Sequence, residues 1–324
     1  MSSGLKEISN LTGYSLSTVS RVLANKISGD SQSAKEILTV AREIGYSKYR
    51  DASPSSNRIL DIALITQHFS EEFYAYLYAS FDRICAKEGY CLTIHSLRYN
   101  KSIKEQLLYL SQILYGFILF LPTLDSLGYR IIKKTLTGYP IISIAPVLEP
   151  IFDTFTFDSY QGGVLAAKQF IDSGLKKFGV IHGPLDKWEA ELRKNGFKDT
   201  LEKEGKEIHW DFRGDYSFES GEKAFHDIYN KEILDVGVFA SNDQMAVGFI
   251  NAGLENNVKI PGDYFIIGYD NILFSKIFFP KLTTINTNVD RLSSEALDYL
   301  IRIIKGQVQT GASAKKTLIP VELV

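Results

Sequence analysis

The sequence predicts an α/β protein: two lobes built on parallel sheets, preceded by a small head of three helices. Three observations carry this. The first 23 residues read as two short helices around a tight turn. From Arg58 onward, short β-rich runs alternate with amphipathic stretches of helical length, the pattern of βαβ units. The chain has 324 residues, and the 266 that follow residue 58 are too many for one sheet of modest size.

In the head, Leu5, Ile8 and Leu11 fall on one helical face, and Gly13 can take the positive φ that ends a helix. Ser15 is a candidate N-cap for the second helix, whose apolar face is Val19, Val22 and Leu23. Leu16, Ser17, Ser20 and Arg21 then point outward. A third helix is expected from Gln32 to Ile44, with Ile37, Val40, Ala41 and Ile44 facing in and Asp30 as cap. Two short helices across such a turn form the helix-turn-helix DNA reader, whose second helix enters the major groove. Apolar spacing alone leaves open a two-helix cap on an enzyme domain. A head confined to residues 1–46 has a marginal core and is expected to lean on a partner or on DNA.

Residues 47–58 are polar, with Pro54 and several serines, and read as a linker. Strands are expected at Leu60–Thr66, Tyr90–Ser96, Gly116–Leu121, Pro140–Ile144, Thr154–Phe157, Lys177–His182, Gly237–Ala240, Tyr264–Gly268 and Leu282–Ile285. Between them lie helical stretches such as Phe73–Lys87, Gly162–Ser173, Ala190–Glu204 and Ser220–Asn230. The body, 59–324, divides into lobe 1 (about 59–156 and 288–312) and lobe 2 (about 157–287 and 313–324). The helix Phe73–Lys87 carries Tyr74, Tyr76, Tyr78 and Phe81, which suit either a dimer surface or a core.

Composition narrows the function. Hydrophobic residues make up 45% and no run of 18 apolar residues occurs, so no membrane span is expected. The N-terminal residues lack a charged-then-apolar signal pattern, and Cys85 and Cys91 have no metal-type or C-x-x-C spacing. A cytoplasmic protein with reduced thiols is expected. Net charge is −2, but residues 1–58 hold eight basic and five acidic residues, so a head at +3 sits on a body at −5. No G-x-G-x-x-G, P-loop, H-E-x-x-H or G-x-S-x-G phrase is present, and His68, His95, His182, His209 and His226 are scattered. The reading is therefore not an enzyme, with no cofactor and no metal.

The head's wording, Ser15-x-x-Thr18-Val19-Ser20-Arg21-Val22-Leu23, resembles the signature of the LacI/GalR family of bacterial repressors. Phrases in the body resemble the family's periplasmic-binding-protein-like core, in the same order. They are Asp158-x-x-x-Gly162-Gly163, His182-Gly183-Pro184, Arg193-x-x-Gly196-Phe197, Ser241-Asn242-Asp243-x-x-Ala246-x-Gly248, Ile260-Pro261-x-Asp263, Ile267-Gly268-Tyr269-Asp270-Asn271 and Leu282-Thr283-Thr284-Ile285.

The resemblance implies a homodimer, with a tetramer left open, that reads a pseudo-palindromic operator DNA under the control of a small-molecule effector. It places DNA contacts at Ser15, Leu16, Ser17, Thr18, Ser20, Arg21 and Asn25. Arg21 is the candidate for a bidentate guanine contact. It places effector contacts at Phe73, Tyr74, Lys187, Glu189, Arg193, Tyr216, Asn242 and Asp270. Asp243 follows a strand end and is a candidate for the same cleft, while Asn242 and Asp243 equally suit helix caps. Asp158 is read as a cap.

Two departures stand out. The family's N-x-x-A-R-x-L hinge and its wedging leucine are missing, so either a hinge is rebuilt around Tyr49 and Arg50 or DNA is bent differently. Ile144 and Ala145 stand where many sugar-binding relatives carry an aspartate. A sugar or sugar derivative is the leading effector and a nucleobase the second. A solute-binding protein without a DNA role, and control by a phosphoprotein, are the alternatives.

Overall fold

The computed structural model describes residues 3–23, 31–43, 60–67, 72–98, 101–308 and 313–324. The head comprises α1 (Ser3–Thr12), α2 (Leu16–Leu23) and α3 (Gln32–Glu43). Ile8, Val19, Val22, Ala34, Ile37 and Ala41 form its core, with Leu5, Leu23 and Val40 at the margin. Leu11 departs from expectation: it is 60% exposed, because the inward stripe of α1 continues from Ile8 to the half-buried Thr12 rather than to Leu11. The cap of α3 is Ser31, whose Oγ accepts from Ala34 N at 3.2 Å. Asn25, Asp30, Ile44 and the linker 47–58 lie outside the described residues.

The first lobe begins with β1 (Leu60–Thr66), α4 (Glu72–Lys87), β2 (Tyr90–Ser96), α5 (Ile103–Leu110), β3 (Gly116–Phe120), α6 (Ser126–Thr135), β4 (Ile141–Ser143) and β5 (Thr154–Phe157). The second contains α7 (Ser159–Asp172), β6 (Lys177–His182), α8 (Trp188–Lys203), β7 (Trp210–Arg213), α9 (Phe218–Asn230), β8 (Val236–Ala240), α10 (Asp243–Glu255), β9 (Tyr264–Asp270), α11 (Leu273–Ile277) and β10 (Thr283–Asn286). The chain then returns through α12 (Val289–Ile304), which packs on α4 in the first lobe. It finishes with β11 (Lys316–Ile319) and β12 (Glu322–Leu323).

Each sheet has six strands, in the orders β11-β5-β4-β3-β1-β2 and β12-β10-β9-β8-β6-β7. All pairings are parallel except β10 with β12. Strands β3 and β8 are buried at every position, as expected where helices cover both faces of a parallel sheet. Segment 313–324 was expected wholly in lobe 2. Instead β11 completes the first sheet beside β5, and β12 completes the second beside β10. The backbone thus passes between lobes after β5, after β10 and after β11.

Of the aromatic run in α4, Tyr74, Tyr78 and Phe81 are core, and Tyr76 stays 39% exposed. The 3.6-residue repeat explains this, since Tyr74, Tyr78 and Phe81 share one face and Tyr76 lies opposite.

Glycines set the helix spacing in the second lobe. A Cβ on Gly163 of α7 would lie 2.0 Å from the Arg193 carbonyl oxygen, and one on Gly196 of α8 would lie 2.0 Å from the Tyr160 carbonyl oxygen. Gly221 and Gly248 serve α9 and α10 in the same way, against the carbonyls of Met245 and Phe218. The phrases containing these glycines encode close backbone approach.

Candidate functional site

The head presents one outward surface. Gly13 has φ +75°, and its N–H donates to the Ser9 carbonyl at 2.9 Å, closing α1. Ser15 Oγ accepts from Thr18 N at 3.2 Å, so Ser15 caps α2 as its position implied. Tyr14 OH donates to Glu36 Oε2 at 2.9 Å and ties the turn to α3, a long-range contact with no local signal. With Val19 and Val22 buried, Leu16, Ser17, Ser20 and Arg21 are exposed along one side of α2. Thr18 is half-buried, with its hydroxyl 2.9 Å from that of Ser15.

The second site lies between the lobes, at the carboxyl ends of the strands, where open α/β sheets place their ligands. Phe73 and Tyr74 come from the first turn of α4, Lys187, Glu189 and Arg193 from the start of α8, and Tyr216 from the turn before α9. Asn242 precedes α10, and Asp270 ends β9. All eight residues named from the sequence line one cavity of about 50 Å³, joined by Phe120. An adjoining cavity of about 50 Å³ shares Phe73, Phe120, Glu189 and Arg193 and is otherwise mostly apolar, with Leu77, Ile144, Pro146, Phe157 and Leu292. Ile144, where an aspartate was missing from the expected pattern, forms part of that apolar wall.

Arg193 is the electrostatic centre. It is 7% exposed, its guanidinium lies 3.6 Å above the Tyr269 ring, and its Nη1 donates to the Ser241 carbonyl. Its Nη2 stands 3.6 Å from Asp270 Oδ1. Burial works against its charge, but Tyr216, Asp270, Tyr269 and Glu189 outweigh burial and hold the guanidinium above its ordinary pKa. The Nε of Arg193 and the Oε2 of Glu189 are both buried without a hydrogen-bond partner. Leaving such atoms unpaired costs roughly 1–3 kcal/mol each, and both residues line the cavity.

Asn242 does two jobs at once. Its Oδ1 accepts from Met245 N at 3.0 Å, capping α10, while its Nδ2 donates to the Tyr216 carbonyl at 2.9 Å. The second bond holds a turn in which Tyr216 takes φ +72°, a conformation uncommon for a bulky residue. Asp270 and Asn271 also have positive φ, at 112° and 56°. Two residues of the cavity wall, Tyr216 and Asp270, thus hold an uncommon backbone conformation.

Asp243 does not line the cavity, contrary to the convergence considered from its position. It is fully buried beneath, with Oδ2 accepting from Ile272 N at 3.0 Å and Oδ1 from the Thr284 hydroxyl. It anchors the segment that follows Asp270, and burial pushes its pKa up to about 6. Asp158 caps α7 by accepting from Gln161 N at 3.0 Å. Sequence reasoning missed Tyr269 and Phe120. Strand alternation would turn Tyr269 away from Asp270, and Phe120 carries no local signal.

The periplasmic binding protein-like domain model matches residues 167–324. An "HTH-type transcriptional repressor PurR" of Pasteurella multocida is 30% identical over 309 residues, covering 93% of this chain and 91% of that protein. A repressor of the same name from Histophilus somni is 28% identical over 306 residues, covering 93% and 92%. A lac repressor dimer, solved with operator and the anti-inducer ONPF, superposes with a TM-score of 0.73 at 22% identity, covering 98% of this chain and 96% of that one. Among the described residues, no helix is long and apolar enough to cross a membrane.

Proposed function

The chain belongs to the LacI/GalR family of transcriptional regulators, and on that premise we propose that it is a repressor whose operator affinity is set by a small molecule bound between its lobes. The observation that carries the reading is the meeting of Arg193, Glu189, Asp270 and Asn242 with Phe73, Tyr74 and Tyr216 in one cleft. An arginine fork with carboxylates suits hydroxyl groups, and aromatic faces suit the apolar side of a sugar ring. A sugar or sugar derivative is the leading effector. A nucleobase is the second reading, favoured by flat walls from both lobes, Phe73 in the first and Tyr216 in the second.

DNA is read by α2. Leu16, Ser17 and Arg21 face base edges, Thr18 and Ser20 hold phosphates, and Ser15 and Asn25 are further DNA contacts. The protein acts as a dimer on a pseudo-palindromic operator. Supporting self-association, α11 exposes Leu273 (67%), Ile277 (71%) and Phe279 just beyond it (87%). This surface adjoins Tyr76 of α4, over which Lys276 Nζ lies at 5.9 Å. The same junction joins the lobes, because Glu72 Oε1 accepts from Phe274 N at 3.0 Å. Closure on a ligand would therefore move the dimer surface, and ligand and DNA would affect each other's binding reciprocally.

The test is a gel shift against the promoter of the protein's own gene, with and without compounds found by thermal shift. A sequence-specific, salt-sensitive complex that a compound strengthens or weakens is expected. Failure to form such a complex would return the chain to a plain solute-binding role.

A further inference from the structure

We infer that the end of the first lobe to which the head is tethered is a second DNA-contacting surface, a basic strip that grips duplex phosphates outside the half-site read by α2. This rests on the DNA-binding reading above. Every pairing in the first sheet is parallel, so its strands begin toward one edge of the lobe. The linker enters β1 at that edge, away from the cleft at the strands' carboxyl ends. Helices α4, α6 and α12 deliver their own carboxyl ends to it. The first two lead directly into β2 and β4, and a Cβ on Gly116, which opens β3, would lie 3.0 Å from Ile304 of α12.

Basic side chains collect there. Lys87 ends α4, Lys305 follows α12 with its Nζ 5.9 Å over the Tyr90 ring, and Lys315 precedes β11. Arg130, Lys133 and Lys134 share one face of α6. All six are exposed, and among the described residues none enters an ion pair. Lys133 Nζ donates to the Ile151 carbonyl at 2.8 Å, which holds its charge at a recess of about 560 Å³ lined also by Arg130, Lys134 and Tyr139. The facing carboxylates are fewer. Asp298 is 3.9 Å from Arg302. Asp153 is buried, accepting from the Tyr299 hydroxyl at 2.8 Å and from Lys315 N at 2.7 Å. Glu88 and the half-buried Asp61 remain. Six cations thus outnumber two carboxylates on a body whose net charge is −5.

Helix geometry alone does not account for the cluster. A lysine at a helix carboxyl end complements the macrodipole. Yet α5 also ends at this edge and has no basic residue in its last turn. Helix α6 has two there, and Arg130 stands four residues before Lys134, a spacing at which like charges repel. A polyanion laid across the edge relieves that repulsion. Strands lie about 4.7–4.9 Å apart, so six of them span roughly 24 Å. That is about seven steps of duplex at 3.4 Å each. An extended anion with regularly spaced charges fits such a strip.

The test uses the full chain and the operator located by footprinting the promoter of its own gene. Affinity is measured between about 50 and 200 mM salt for a duplex holding only the two half-sites, and for one extended by about two helical turns on each side. The extended duplex should bind at least about tenfold tighter at low salt. Each neutralised phosphate steepens the log–log salt slope by roughly 0.9, so the three α6 side chains of two protomers account for about 5. Arg130→Gln, Lys133→Gln and Lys134→Gln together should remove most of the margin and leave the short duplex unaffected. Arg130→Lys, Lys133→Arg and Lys134→Arg together should keep it. So should removal of three exposed lysines of the second lobe, Lys168, Lys203 and Lys223. Equal affinity of the parent for both duplexes would overturn the inference and leave the regulator reading intact. So would equal weakening of both duplexes by the α6 variant, or equal losses from the two lobes. Tripolyphosphate at constant ionic strength that raises the Tm of the parent but not of the α6 variant, with no duplex margin, would assign the recess to a free polyanion and overturn the DNA contact. No sequence-specific complex with either duplex would sink both readings.

Discussion

Gly163→Ala tests whether the close crossing of α7 and α8 is what positions the arginine of the cleft. The added Cβ would lie 2.0 Å from the Arg193 carbonyl oxygen and 2.6 Å from the Phe197 nitrogen. Ordinary contact begins at 3.4 Å, so the carbonyl contact alone is short by 1.4 Å. Both neighbours are backbone, so no side chain can rotate aside, and the helices must separate. Overpacking of this kind costs roughly 1–3 kcal/mol. At about 2–4 °C per kcal/mol in a body of this size, Tm should fall by roughly 2–12 °C. The displacement also carries Arg193 away from Asp270 and from the Tyr269 ring, each now at 3.6 Å. Effector binding should therefore fall more than stability alone explains, while operator binding without effector stays intact, because the head packs its own core. The assay pairs thermal melting with effector titration of the folded variant well below its Tm. A variant that melts within a degree of the parent and binds effector equally would refute the reasoning.

Other expectations follow from single contacts. Arg21→Ala should lower discrimination between operator and mutated operator by about 1–3 kcal/mol, read as a flattened affinity profile across single base changes. Equal specificity in the variant would remove Arg21 from base reading. Asn242→Ala should cost roughly 0.5–2 kcal/mol through the lost cap of α10 and should also loosen the Tyr216 turn. Its effector affinity should therefore drop further than in a variant that removes only a cap, such as Asp158→Ala. For Asp243, the folded pKa is about 6 against an ordinary 3.8. A raised pKa contributes stability that is present below the ordinary value and lost as pH rises through the folded one. Melting of the parent should accordingly improve relative to Asp243→Asn as pH drops from 7 toward 4. A difference that stays constant across that window would contradict the assignment.

Much of this was legible in the sequence because it depends on local spacing. Gly13, Ser15 and the Val19–Val22 stripe dictate the turn and the second helix through conformations and caps that few other residues supply. The strands β1, β5 and β6 were readable to the residue, since buried parallel strands appear as short apolar runs between turns, and the edge strand β2, with no fully buried position, was readable to the residue as well. Phe73, Arg193, Tyr216 and Asp270 are far apart in sequence; Arg193 and Asp270 were readable as convergent because both follow strand ends, whereas Phe73 and Tyr216 were readable only through a family resemblance. What stayed hidden was long-range. Strand β7 alternates a buried Trp210 with polar neighbours and resembles a loop. Leu11 lay one step off the inward stripe, and nothing near Asp243 reveals that two distant segments bury it.

The division of β11 and β12 between the sheets bears on how the protein is made. The head's core lies within residues 5–41, so a ribosome releases everything it needs early. The body is different, because both sheets take an edge strand from residues 316–323. At roughly 5–20 residues per second, the chain spends on the order of tens of seconds with a finished head and an unfinished body; β5 waits about 8–32 s for β11, whereas β10 waits only about 2–7 s for β12. During those waits, β5's above all, each strand is exposed to pairing with other chains, the hazard of any uncovered strand. A nascent DNA reader thus precedes its own regulator, and chaperone demand should peak just before the closing strands emerge.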